Sequence, residues 1–366
     1  MTPAACLVLT TPLVPAEMTW SAKKEGPACV QLGADIAGRF QQTTPEVGVD
    51  EAFSLARSRF EAGLTQDGAG ARIVWGGVRS GGQDSYIGVA GESIVPQVQV
   101  AEAHYRSRKL GAAVSMGLVD DAWVVTGNNA WDLRAVAPGV GEAQGWLERS
   151  DLGATLAWTA PGSWVTTAFT LTSGEGLARR ERNTGQDAAA LLIARPLSSL
   201  ADPELLTIQA YRRDGSRGFG RAPDHRTAAR LTHRSEWAAG GLSWLKAEGV
   251  GGDGAREPVA TSFFAQVTPP MAPAVVYLRR DKVNEVPDVD NTDRETFFAG
   301  AGLELPADTE GRPPMRFIVG GSRTITDAAV RSLSGAGAEA KTTALFIQLD
   351  FRARATLHDV THTPIP

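Results

Sequence analysis

The sequence predicts an all-β protein, a transmembrane antiparallel up-and-down β-barrel of about sixteen strands, and three observations carry that reading. Apolar and polar residues alternate with a period of two from Val30 to Phe351, the alternating segments are roughly ten residues long, and the connectors between them are tight and long by turns. Helical 3.6 periodicity is almost absent. No run of about 18 uninterrupted apolar residues exists, so spanning helices are excluded and any membrane crossing falls to strands.

In the first segment Val30, Leu32, Ala34, Ile36 and Phe40 take one face, and Gln31, Asp35, Arg39 and Gln41 the other. The strands are expected at 29–41, 52–64, 71–80, 97–107, 109–119, 149–159, 164–173, 187–196, 204–213, 225–234, 239–249, 258–268, 273–282, 295–305, 315–325 and 342–354. In the last, Leu345, Ile347, Leu349 and Phe351 alternate with Gln348, Asp350 and Arg352. Such lengths suit a tilted strand crossing hydrocarbon and exceed the five or six residues usual in soluble sheets. A soluble sandwich alternates too, but it buries its apolar face; a membrane barrel turns that face to lipid and its polar face to a wet lumen.

Connectors give the phase. Gln66-Asp67-Gly68, Pro161-Gly162-Ser163 and Pro269-Pro270-Met271 are tight, whereas 81–96, 120–148, 281–294 and 326–341 are long. Short turns on the periplasmic side and long loops outside characterise outer-membrane barrels, and a chain starting in the periplasm keeps that phase throughout. Trp158 and Trp164 flank the turn at Pro161, and Trp75, Tyr105, Trp237, Trp244, Phe297 and Phe351 fall near strand ends, where an aromatic girdle or ordinary packing would place them.

Composition excludes more than it assigns. With 43% apolar and 21% charged residues the chain can bury a large core, and a net charge of −5 supplies no basic face for nucleic acid. The two cysteines, Cys6 and Cys29, make no framework, and whether they pair is open. Residues 1–28 read as an N-terminal extension or remnant signal peptide: Cys6 to Val14 is apolar, but no basic stretch precedes it. The barrel is expected over 29–354 and a tail over 355–366.

With these features the chain resembles the sixteen-stranded bacterial porins, and more loosely their phosphate-selective and anion-selective relatives, over residues 29 to 354. The resemblance rests on strand number, turn phase, the run Ala56-Arg57-Ser58-Arg59-Phe60 and a final strand Leu345-Phe346-Ile347-Gln348-Leu349-Asp350-Phe351 like those that end in an assembly-signal aromatic. It departs at the end, because Arg352 to Pro366 follow Phe351 where such porins usually stop. The resemblance implies a passive channel of the bacterial outer membrane for small hydrophilic solutes and ions, without cofactor, embedded in outer-membrane lipid. It also implies a homotrimer, with flat contact walls that Ala34, Gly38, Ala56, Ala62, Ala112 and Gly117 would suit.

It further implies that the longest connector, Asp120 to Glu148 after the fifth strand, folds into the lumen and narrows it. This loop carries Asp120, Asp121, Asp132, Arg134 and Glu142, and Asn128 to Arg134 can form a short helix capped by Asn. A basic wall is expected opposite: Arg57 and Arg59 on strand two, His104 and Arg106 on strand four, and Arg226, Arg230 and Arg234 on strand ten. Opposite charges across a narrow wet gap orient dipolar solutes and select by charge. Selectivity stays open, since the arginines favour anions and the acidic loop opposes them.

Catalytic signals are sparse. Five histidines occur, with no His-Glu-x-x-His, Gly-x-Ser-x-Gly or phosphate-loop pattern. His233 with Ser235 or Ser243 imitates the lipid-facing pair of an outer-membrane phospholipase, though a strand histidine at the interface explains it as well. Asp288 to Glu295 has oxygen ligands at short spacing that could hold Ca²⁺, but it lacks the glycine and ligand order of an EF-hand and reads by default as an acidic solvated loop, and His358 and His362 suggest a metal only weakly. The alternatives are a substrate-specific channel or adhesin barrel, and a soluble β-rich binding protein.

Overall fold

The computed structural model describes residues 29–45, 50–80, 93–107, 109–174, 176, 185–199, 202, 204–217, 222–250, 256–269, 272–287, 289–305, 314–333 and 340–358. The N-terminal extension and Cys6 lie outside them; Cys29, at the start of the barrel, is disulfide-bonded. Sixteen antiparallel strands close into one barrel. They are β1 (Cys29–Thr44), β2 (Asp50–Gln66), β3 (Ala69–Ser80), β4 (Ser93–Ser107), β5 (Ala112–Asp120), β6 (Ser150–Thr159), β7 (Val165–Thr172) and β8 (Asp187–Ala194). The circuit continues through β9 (Thr207–Asp214), β10 (His225–Arg234), β11 (Ala238–Glu248), β12 (Val259–Val267), β13 (Ala274–Asn284), β14 (Asp293–Glu304), β15 (Met315–Thr326) and β16 (Lys341–His358). Each strand pairs with its neighbour in sequence, and β1 pairs with β16 from Cys29↔His358 to Thr44↔Thr343, which removes both sheet edges. The last strand therefore reaches His358, four residues past the expected end at 354.

The expected phase is present. Strands β2 and β3 meet at Asp67-Gly68, both with positive φ (49° and 85°), the two-residue turn whose twist matches a hairpin. A side chain at position 68 would press into the Arg106 carbonyl, so glycine is required there. The longest connector, between β5 and β6, lies at the opposite end, and the one after β9 there carries a small ribbon of Ser216–Arg217 with Ala222–Pro223; the phase is not strict, because 195–206 and 305–314 on the turn side are longer than 45–49 on the loop side.

Alternation is inverted relative to a soluble protein. Met116, Leu152, Leu156, Phe169, Leu171, Leu242, Val276, Leu345 and Ile347 are exposed on the outer wall, while Arg72, Glu102, Thr155, Thr170, Gln209, Gln348 and Asp350 are buried on the inner one. Only a lipid solvent makes that arrangement stable over a whole perimeter, so the barrel spans a membrane. Inner hydroxyls pair across strands, Thr155 with Thr170 at 3.0 Å and Thr159 with Thr166 at 3.2 Å.

The apolar core lies inside the lumen, between the wall and the connector that joins β5 to β6. This connector forms α1 (Ala122–Trp131) and a single turn, α2 (Val140–Ala143). One cluster joins Trp123, Val124, Val140, Trp146 and Leu147 of the loop to Leu191, Tyr211 and Leu245 of the wall; a second joins Trp131, Leu133 and Val136 to Phe264, Tyr277, Ile318 and Phe346. Trp131 packs edge-on to Phe264 (5.3 Å) and Tyr277 (5.9 Å). Truncating it to alanine is expected to cost the loop about 3–5 kcal/mol of packing. Hydrogen exchange checks this: amides of 122–137 lose protection in Trp131→Ala while those of the strands keep theirs.

Candidate functional site

The inner loop begins at Asp121, whose carboxylate accepts a hydrogen bond from Val124 N at 3.0 Å and from Tyr211 Oη at 2.7 Å. The helix cap is thus Asp121, seven residues before the expected Asn128, which lies inside the helix. A short polar side chain at this position satisfies one of the free amides of the first turn. Burial pushes the Asp121 carboxyl up, against the lowering effect of those two hydrogen bonds. The helix ends as Asp132 turns left-handed (φ 48°), which aims its carboxylate at the wall.

There Asp132 meets Arg316 of β15 at 2.7 Å and Arg352 of β16 at 3.2 Å. Burial alone would raise the Asp132 carboxyl, but Arg316, Arg352 and Arg234 outweigh it and hold it well below the usual carboxylate range. Backbone carbonyls of the loop take further wall arginines. Arg39 donates to Ala135 O and, at 2.9 Å, to Val136 O; Arg279 donates to Ala137 O at 3.2 Å, Arg234 to Asn129 O at 2.9 Å, and Arg226 to Trp146 O at 2.8 Å.

For an acid whose folded pKa is depressed, the stabilisation is full above the unfolded value of about 3.9 and is lost as pH falls through the lower folded value. The Asp132 tether is therefore expected to hold unchanged from pH 7 to about 4, which single-channel amplitude across that range reports.

Ion pairs of alternating sign run along the lumen wall. Arg57 pairs with Asp35 at 2.8 Å, and Arg352 reaches Asp35 at 4.0 Å as well as Asp132. Arg59 pairs with Glu61 at 3.2 Å; Arg72 lies among Glu61, Glu102 and Asp120; Arg149 meets Asp120 at 3.4 Å. On the loop, Arg134 donates to Glu142 at 2.6 Å and Asn128 donates to Glu142 at 3.0 Å. Burial raises the Glu142 carboxyl, and these partners more than offset it, so it titrates below the ordinary range. Arg134, Arg149 and Arg352 each lie within electrostatic reach of Arg57, Arg149 is within reach of Arg134, and Arg59 is within reach of Arg57 and Arg149.

Among the residues singled out from sequence, Arg57 (14%), Arg59 (16%), Arg134 (23%) and Asp132 (23%) keep part of their side chains exposed at the level of the loop. Others are placed differently. Arg226 is sealed, 0% exposed, between Asp224 and Trp146, and so lines no passage. Asp120 is 4% exposed behind Arg72 and Arg149. Arg230 is stacked on the Trp123 ring, and Arg234 is spent on loop carbonyls. His104 and Arg106 share the inner parity of β4 but lie towards the turn at Gly68, away from the loop.

Asp35, Glu61, Arg149 and Arg352, which complete the arrangement, were not singled out as site residues, although Asp35 and Arg352 both stand on the recognised polar faces of the first and last strands. His233 and Ser243 point to opposite sides of the wall, and His233 Nδ1 is engaged by Leu205 O at 2.7 Å, so they form no pair. Asp293 is held by Lys282 at 2.7 Å, and the described residues contain no group of three or more His, Cys, Asp and Glu able to hold a metal.

No family model and no curated protein matches the sequence. Solved structures do match over the whole barrel. The anion-selective porin of Comamonas acidovorans aligns with a TM-score of 0.63 at 11% identity, covering 89% of this chain and 100% of that one. In vitro folded OmpT of Vibrio cholerae aligns at 0.56 and 11% identity (92% and 100%), and the outer-membrane channel DcaP of Acinetobacter baumannii at 0.56 and 10% (89% and 98%). The chain thus has the sixteen-stranded fold of outer-membrane porins and channels.

Proposed function

We propose that this barrel is a passive porin of a bacterial outer membrane, passing small hydrophilic solutes and ions through a lumen narrowed by the loop 121–149, with a modest preference for anions. The observation that carries the reading is the gathering of Arg57, Arg59, Arg134, Arg149 and Arg352, all with part-exposed side chains, beside that loop. Their partner carboxylates bring the ring close to neutrality, which fits a filter that orients dipolar solutes and weights charge rather than a high-affinity binding site. Transit needs no bond making, so no residue is assigned a catalytic role.

A homotrimer fits the outer face of β2–β4, where Ala62, Ala71, Ala101 and Ala103 floor an apolar depression of about 520 Å³. Gly117 shares the inner parity of Ser115 and Val119 and takes no part in an outer contact wall. Liposome swelling tests the diffusion reading. Rates should fall smoothly as neutral sugars grow in size and should not saturate with concentration; saturation with a single solute would point instead to a substrate-specific channel.

A further inference from the structure

Between α1 and strands β10–β13 lies a cavity of about 50 Å³, which touches the lumen file of ion pairs only at Glu142. Arg230 enters it from β10. Its Nη1 donates to Gln209 Oε1 at 3.0 Å and more weakly to Trp123 O at 3.3 Å and Thr126 Oγ1 at 3.4 Å, and the guanidinium lies 3.9 Å from the centroid of the Trp123 ring. Among the described residues Nε and Nη2 have no hydrogen-bond acceptor, and no carboxylate lies within 4.0 Å of the group.

The other charges at the cavity are spoken for. Arg279 is held by both oxygens of Asp281 at 2.9 and 2.7 Å, and Glu142 by Arg134 and Asn128. Asp121, the acid next in reach, accepts from Tyr211 Oη and Val124 N. One positive charge, part-buried, therefore stands without an ion-pair partner in a cavity lined by Trp123 and Trp131, with Asp121 and Glu142 acting on it only at a distance. Burying a lone ion is costly, and a ring face offsets only part of that cost.

Two further features shape a receptacle. Ser243, the register partner of Arg230 on β11, also lines the cavity, and its hydroxyl has no hydrogen-bond partner among the described residues. Gly127 packs directly against the guanidinium on the helix side, where any Cβ would collide with the Arg230 head, so only glycine lets the arginine lie under α1 beside the cavity. The volume suits a monatomic ion with one or two waters.

We propose that this cavity holds one small inorganic anion of the chloride class, bound by Arg230 and Ser243, which serves as counter-ion behind the inner loop. The anion is structural and does not travel with the permeating solutes, so the proposal stands or falls separately from the porin reading. The test is anomalous diffraction from crystals of the full chain soaked in sodium bromide. A bromide peak at Arg230 Nη2 and Ser243 Oγ is expected, and it disappears in Arg230→Gln. Peaks at part-exposed arginines alone, with none at Arg230, would overturn the assignment, as would a peak that survives Arg230→Gln. In solution, iodide should quench a saturable share of tryptophan emission that is missing in both Trp123→Phe and Arg230→Gln. Quenching that stays linear in iodide, with the same slope in all three proteins, would contradict it.

Discussion

Serine at both Arg57 and Arg59 should lower the anion-to-cation permeability ratio by on the order of tenfold at about 0.1 M salt. A unit charge about 7 Å from a permeating ion in water contributes roughly 0.6 kcal/mol, about RT, and screening over a Debye length of about 10 Å halves it. Each lost arginine then changes the local ratio of anions to cations by about 2.7-fold, and two changes multiply. The double variant also leaves Asp35 and Glu61 without their nearest cations, which pushes the ring further towards cation passage. Reversal potential under a salt gradient reads the change directly. A double variant with the wild-type reversal potential would place these arginines outside the ion path.

Asp132→Ala should have the largest effect on the loop itself. It leaves Arg316 and Arg352 facing the end of α1 with no carboxylate between them; of the carboxylates Arg316 keeps Glu304, at 2.5 Å, and both arginines keep only the backbone carbonyl of residue 132 on the loop. Removing one partner of a buried pair costs about 3–5 kcal/mol, and the partial exposure of Asp132 reduces that to about 2–3 kcal/mol here. The loss falls on the tether, because the strand ladder does not pass through Asp132. Single channels should therefore show frequent transitions between two conductance levels, while the heat-resistant barrel band in detergent stays in place. A quiet channel of wild-type amplitude would show that the apolar contacts of Trp131 and Leu133 hold the loop unaided.

The barrel was legible in the sequence because its evidence is local. Period, segment length and turn phase are each readable within a few dozen residues, and Val30 to Gln41 or Leu345 to Arg352 declare their two faces without reference to any partner. The helix boundary was less legible. Ala122-Trp123-Val124-Val125 looks like a continuation of β5, and only the Asp121 cap, seen with the first-turn amide it accepts, marks the change of structure.

The site was legible by face but not by partner. Alternation identifies Arg39, Asp350 and Arg352 as inward-facing, yet barrel closure brings Arg39 to Gln348, 309 residues away in sequence, and Arg352 to Asp35. Likewise Arg226, Arg230 and Arg234 do share a face of β10, but the loop that covers them decides their roles: the first is sealed, the second faces a cavity, and the third holds loop carbonyls. Periodicity carries no information about what a long loop lies against.

The central claim is that the lumen is an open, charge-weighted path past the loop. Single-channel recording of the refolded protein in a planar bilayer tests it most directly. The account predicts stable open steps, arriving in threes if the trimer forms, with a reversal potential displaced modestly to the anion side. A folded, membrane-inserted barrel that conducts nothing at any voltage would contradict it.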